Sequence, residues 1–318
     1  MITRRGVLAA AAVTLAPTVA ANRLLTLLVG AAAGAAPDAG ARAFAPFLSR
    51  HMPFTDVSVR NVPGEGGLTA FQALAAAVPS GATLGWLASP TLPARIIDHD
   101  VSDLLPRLTL IGAVEKEPIA FVSPAATPLE SVQDIIRRSG EDADAIPLGT
   151  PPAGSPAHLA ALRLQALAGT RLNLITFPSA AAARQAVVAG NVAAAALGLA
   201  NAIGDLRDGR LFGLGVAAHA RSGAFPEMPA LNEAGLQLSA VIIRGLAAPA
   251  GTPGEVISGI ATALQATAAD AEFQDEGNAR GFRAVWIDGQ AWAAQVEAER
   301  QTLAALWATE PWLSSSGQ

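Results

Sequence analysis

Short apolar runs alternate with stretches of helical periodicity along most of the chain, and this alternation restricts it to an α/β architecture, expected with mainly parallel strands. Strands are predicted at Leu24 to Val29, Val57 to Arg60, Thr83 to Leu87, Ile119 to Val122, Leu172 to Phe177 and Leu211 to Ala217. After Gly251-Thr252-Pro253 the pattern predicts an all-helical tail, with helices over 255–269 and 290–308. In the last of these, Trp292, Val296, Leu303 and Leu306 lie near one face and are expected in the core. A chain of 318 residues, 51% of them hydrophobic, exceeds what one core usually organises, so two domains are expected. Loops rich in Gly, Pro and acids at 138–147 and 222–229 bracket a segment with strands and helices of its own. An inserted second domain fits that layout, giving 22–118 with 220–318 as one domain and 119–219 as the other.

The first 21 residues read differently. Arg4 and Arg5 precede an apolar stretch from Gly6 to Ala16 and then the small residues Val19, Ala20 and Ala21, the order of an export signal. The stretch is shorter than the roughly 20 residues that cross a bilayer, so cleavage near residue 20 or 21 is expected rather than anchoring. The arginine pair fits both a twin-arginine and a general secretory signal. Loss of the signal leaves 19 basic and 26 acidic residues, a net charge of −7 against −5 for the whole chain. That balance argues against nucleic acid and anionic membrane surfaces as partners. Cysteine is absent, which excludes disulfides, thiolate metal sites and a cysteine nucleophile.

Four places share one local grammar, in which a strand ends, a small or polar residue follows and a helix begins: Gly30 to Asp38, Ser89-Pro90, Gly154-Ser155-Pro156 and Pro178-Ser179. Serine before proline reads as an N-cap followed by a first helical residue that has no N–H to leave unpaired. Helix N-termini carry free N–H groups and about half a positive charge, so these turns suit a carboxylate or phosphate. In open α/β sheets ligands sit beyond the carboxyl ends of strands, and the four turns are expected to face one crevice. Taken singly, each serine reads as a cap; their convergence is what suggests a site. His158, in the first turn after Ser155, is expected to pack beneath the crevice. Asp98-His99-Asp100 reads as a solvated surface cluster, because adjacent residues at a helix end point apart. Neither a Gly-x-Ser-x-Gly elbow, nor His-Glu-x-x-His, nor a phosphate or dinucleotide glycine loop occurs, so no enzyme activity and no cofactor or metal is expected.

Several landmarks then occur in order: Arg60-Asn61-Val62-Pro63-Gly64-Glu65-Gly66-Gly67, Gly149-Thr150-Pro151-Pro152-Ala153-Gly154-Ser155-Pro156-Ala157-His158-Leu159, Pro229-Ala230-Leu231-Asn232-Glu233-Ala234-Gly235, and 245–253. With them the sequence resembles the solute-binding receptors of tripartite tricarboxylate transporters, the Bug family, over nearly the whole mature chain. The resemblance implies a type II periplasmic binding protein fold, two α/β domains with a ligand cleft between them. It also implies a periplasmic monomer that captures a small organic carboxylate for membrane permease subunits or a sensor kinase. By the same resemblance the first-domain ligand loop holds Ala32, Gly34, Ala36 and Asp38 with Ser89 beside it. The second-domain loop holds Pro152, Ala153, Gly154 and Ser155, with Ser179 nearby, and His158, in the Gly-Ser-x-x-His-Leu segment that follows, joins the ligand-binding candidates. Three departures stand out: Gly30-Ala31-Ala32-Ala33-Gly34-Ala35-Ala36-Pro37-Asp38 lacks the family's hydroxyls, Phe177-Pro178-Ser179 replaces Tyr-Lys-Gly, and Ala193 replaces an aspartate. The alternative is a degenerate receptor that acts as a sensory or interaction protein without small-ligand transport.

Overall fold

The structure is a computed structural model that describes residues 23–313; the expected export signal over 1–21 lies outside the described residues. In chain order, β1 (Arg23–Val29), α1 (Ala36–Arg50), β2 (Thr55–Asn61), α2 (Leu68–Ala75), β3 (Thr83–Ser89) and α3 (Thr91–Asp98) lead into a long strand, β4 (Leu108–Pro124). There follow α4 (Val132–Glu141), β5 (Pro147–Thr150), α5 (Pro156–Ala168), β6 (Asn173–Thr176), α6 (Ala180–Val188), β7 (Ala194–Gly198), α7 (Leu199–Arg207) and β8 (Leu211–Val216). The chain closes with β9 (Val241–Pro249), α8 (Gly254–Ala269), α9 (Ala271–Arg280), β10 (Arg283–Asp288) and α10 (Gly289–Thr309).

In β1 the apolar pattern explains the layering. Leu25, Leu27 and Val29 pack with Phe44 of α1, Leu264 of α8 and Phe273 of α9, while Leu28 packs with Leu74 of α2, Leu92 of α3 and Trp292 of α10. Side chains alternate faces along a strand, so a strand with buried apolar residues on both faces needs helices on both sides of its sheet. Each fully buried large side chain here contributes roughly 1.5–3 kcal/mol. The first lobe is thus a three-layer sandwich with strand order β2-β1-β3-β9-β4-β10, and the second has order β8-β4-β7-β5-β6.

β4 belongs to both lobes. Up to Pro118 it pairs with β9, and from Ile119 onward with β7 and β8. The predicted strand covered only 119–122, because Glu115, Lys116 and Glu117 interrupt the apolar run. β4 and β9 run antiparallel to each other and to every strand they pair with, whereas β1–β2, β1–β3, β5–β6 and β5–β7 are parallel. The expectation of mainly parallel strands is therefore corrected to a mixed sheet: one strand goes out to the second lobe and another comes back, so the pair must oppose. The all-helical tail is corrected too. β10 adds an antiparallel edge strand beside β4, half-buried and broken by a bulge, which gave it no clear apolar signature.

Leu231, Leu238 and Ala240 pack in the second-lobe core with Leu148 and Leu164. Trp292, Val296 and Leu303 of α10 are buried as expected, and Leu306 packs at the edge of a cluster that joins the lobes: Ala94 from the first, Leu159 and Leu162 from the second, and Trp312 from the tail. Asp98 departs from its surface reading. Its carboxylate is buried, pairs with Arg95 and accepts a hydrogen bond from Trp312 Nε1 at 2.8 Å, because the tail folds back over the end of α3.

Candidate ligand cleft

Between the lobes lies a cleft of about 990 Å³ bordered by helix starts, those of α1, α5 and α6 among them. Ala35, Ala36 and Pro37 bring the start of α1, Ser155, Pro156 and Ala157 that of α5, and Ser179, Ala180 and Ala181 that of α6. The first N–H groups of a helix have no acceptor within the helix, so all three ends favour a negative charge in the space they share.

Each end is built differently. Ser155 Oγ accepts from His158 N at 3.3 Å and Ser179 Oγ from Ala182 N at 3.1 Å, so both serines cap their helices while lining the cleft. α1 starts without a side-chain cap. Asp38, inside its first turn, turns back instead: Gly34 N donates to Oδ2 at 2.8 Å, and Arg42 Nε (2.9 Å) and Asn61 Nδ2 (2.8 Å) donate to Oδ1. Burial pushes the Asp38 carboxyl up, and these donors outweigh it, holding it below the ordinary aspartate value. Asp38 thus braces the first loop from behind. Gly30 sits where a Cβ would fall 2.7 Å from Gly67 Cα, so the loop packs directly on the glycine turn that precedes α2.

Of the residues singled out from sequence, Gly34, Ala36, Pro152, Ser155 and Ser179 line the cleft; Asp38, Ser89, Gly154 and His158 are buried outside its lining, and Ala32, exposed, and Ala153, half-buried, also lie outside it. Ser89 is not an N-cap, contrary to expectation. It ends β3, α3 begins at Thr91 after Pro90, and Ser89 Oγ accepts from Trp292 Nε1 at 3.3 Å. Gly154 adopts φ +71°, and a Cβ there would strike the Arg95 guanidinium and the Trp312 ring. His158 Nδ1 accepts from Gly154 N at 3.4 Å, and burial together with the nearby Arg95 lowers this imidazole to about 4, leaving it neutral.

The charged residues of the cleft went unread in the sequence. Glu115 and Glu117 of β4 and Arg244 of β9 line it where the crossover strands run beneath, with Arg244 Nη1 2.5 Å from Glu117 Oε2 and 3.4 Å from Glu115 Oε2. Glu117 Oε1 also accepts from Ala200 N in the first turn of α7, at 2.9 Å. Burial raises the Glu115 carboxyl to about 7; Arg244 pulls it down and Glu117 pushes it up. On the second-lobe wall, buried Asp205 holds Arg184 and Arg210, each at 2.6 Å. Acids two apart in an otherwise apolar strand, as at 115 and 117, share one buried face, and that spacing was the available signal.

Two α/β lobes linked by crossover strands around a cleft rimmed with helix N-termini define a bilobal solute-binding protein. Residues 41–306 match the family described as the tripartite tricarboxylate transporter family receptor, and the chain belongs to that family, one of binding proteins rather than enzymes. A UPF0065 protein of Bordetella bronchiseptica is 31% identical over 238 residues, 74% of this chain and 70% of that one, and a UPF0065 protein of Cupriavidus necator is 29% identical over 240, 74% and 72%. Among solved structures, the periplasmic binding protein BugD is similar with a TM-score of 0.78 at 24% identity, covering 90% of this chain and 97% of that one. MatC from Rhodopseudomonas palustris, solved with bound malate, has a TM-score of 0.77 at 22% identity, covering 89% and 98%. An R. palustris protein solved with adipate has a TM-score of 0.81 at 22% identity, covering 92% and 97%. The fold is that of the type II periplasmic binding proteins.

Proposed function

We propose that the chain is a periplasmic receptor that captures a small organic carboxylate between its lobes and presents it to the membrane subunits of a tripartite tricarboxylate transporter. The observation that carries this reading is the convergence of the α1, α5 and α6 N-termini on one cleft, an arrangement that receives a carboxylate through backbone N–H groups. Malate and adipate in structural neighbours support the ligand class. No helix among the described residues is long and apolar enough to cross a membrane. The Arg4-Arg5 signal exports the chain and is removed near residue 21, and the receptor acts as a monomer. We divide it at 118/119, where β4 changes partners, with the second lobe running through 219 and on to about 240, since Leu231, Leu238 and Ala240 pack in its core. In this reading Gly34, Ala36, Pro152, Ser155 and Ser179 face the ligand, Thr91 takes the place beside the first loop given to Ser89, and Asp38 and His158 hold the loops in place.

Ser155 separates capping from ligand contact. Asparagine and aspartate are both good N-caps, so Ser155→Asn and Ser155→Asp are expected to fold with nearly unchanged stability. Aspartate also sets a negative charge against the ligand carboxylate, and two like charges about 4 Å apart repel by up to roughly 4 kcal/mol at intermediate dielectric. Calorimetric titration with the tightest-binding carboxylate is expected to show at least about tenfold weaker binding to the aspartate variant than to the asparagine variant, about 1.4 kcal/mol. Equal affinities in two folded variants would leave Ser155 a cap and place the anion elsewhere.

A further inference from the structure

The floor of the cleft carries more negative charge than its own cations balance. Glu115 and Glu117 lie two residues apart on β4, so both point to the same face, while Lys116 points to the other. Both carboxylates are buried, at 2% and 0% exposure, and both line the cleft. A single guanidinium, Arg244, serves the two. Glu117 also has the N–H of Ala200, although no hydrogen-bond donor is aligned on its buried Oε2 despite the close approach of Arg244. Glu115 has only a long contact of 3.4 Å with Arg244.

The remaining cations of the cleft are engaged elsewhere. Arg184 and Arg210 are held by Asp205, and Arg210 also by Asp208, on the second-lobe wall. Arg280 of α9, which also lines the cleft, attracts Glu115 at long range, is one-third exposed and pairs with Glu276 at 3.4 Å. A purely structural buried cluster is expected to balance its charges, because an uncompensated buried carboxylate is strongly disfavoured. Here the surplus carboxylate opens onto the same cavity that the three helix N-termini border. An anion-favouring wall above a floor short of one positive charge complements a molecule with both signs.

We propose that the ligand is an aminocarboxylate, whose carboxylate meets the helix N-termini and whose protonated amine is received by Glu115 and Glu117. This deepens the receptor reading and rests on it. In the empty cleft a proton supplies the missing charge, since Glu115 holds its proton to about pH 7. A ligand ammonium beside Glu115 favours the ionised carboxylate and lowers its pKa, so binding near neutral pH expels that proton into the buffer.

The test is calorimetric titration of the full mature protein at pH 7 with α- and ω-amino acids of two to six carbons, each matched to the alkanoate and the dicarboxylate of the same length. At least one amino acid is expected to bind about tenfold or more tightly than both of its matched partners. Its observed heat is expected to differ between phosphate and Tris in the sense of proton release. Glu115→Gln, close to isosteric, is expected to lose both the preference and the buffer dependence. Alkanoates or dicarboxylates binding as tightly as every matched amino acid overturn the inference and leave the carboxylate receptor standing. Absence of binding by all three classes overturns the receptor reading and the inference with it. Because the ligand comparison is made on the unsubstituted protein, the outcome does not depend on how the variant folds.

Discussion

Gly245→Ala is expected to lower the unfolding free energy by about 3 kcal/mol, the upper part of the range for overpacked cores. A Cβ at 245 would fall 2.1 Å from Gly112 O and 2.5 Å from Ala113 Cα, and both obstacles are backbone of the neighbouring strand rather than a side chain able to swing away. Gly245 lies in β9 between β3 and β4, opposite Leu87 on one side and Ala113 on the other, next to the bulges in the β4–β9 ladder. Accommodating the methyl means moving one crossover strand away from the other, which disturbs the first-lobe sheet at its centre. At that size of change the melting temperature is expected to fall by about 6–12 °C in differential scanning calorimetry. An unchanged melting temperature would mean that the two strands do not pack this closely in solution.

Trp292→Ala is expected to cost about 3–5 kcal/mol, the usual range for truncating a buried aromatic. The Trp292 side chain is fully buried among Leu28, Leu74 and Leu92, and it ties α10 to the end of β3 through the bond from Nε1 to Ser89 Oγ. Trp292→Phe keeps much of the apolar volume and loses that donor, so a smaller loss of about 1–2 kcal/mol is expected. Chemical denaturation of the two variants ranks the contributions. An equal loss in both would assign the stabilisation to the hydrogen bond rather than to packing.

Trp292 also illustrates what the sequence made legible. Its spacing with Val296 and Leu303 predicted a buried face, and the structure places all three in the core. β1, β2 and β3 were readable because each holds an uninterrupted apolar or alternating run between turn signals. β5 and β7 were not, since Pro147–Thr150 and Ala194–Gly198 are short and built partly of glycine, proline and alanine, which carry little strand signature. β4 was read only in part because its charged segment is buried by tertiary pairing with Arg244, a contact that spans more than 120 residues and leaves no local trace. The helix starts at Ser155 and Ser179 were legible, since capping chemistry is local. Ser89-Pro90 has the same local look as Ser155-Pro156, and only the docking of Trp292 on Ser89 distinguishes them. The cleft's polar floor was hidden for the same reason as the middle of β4: its charges come from β4, β9 and α9, far apart in the chain.

The central claim is that a small carboxylate binds in the cleft between the lobes. Titration of the mature protein with small mono-, di- and aminocarboxylates, followed by thermal unfolding at saturation, tests it most directly. The expected result is saturable one-site binding of at least one of these, with a gain of about 2.7 kcal/mol in stability at 100-fold excess over the dissociation constant. A folded protein that binds none of them, with neither heat nor a shift in melting temperature, would contradict the account.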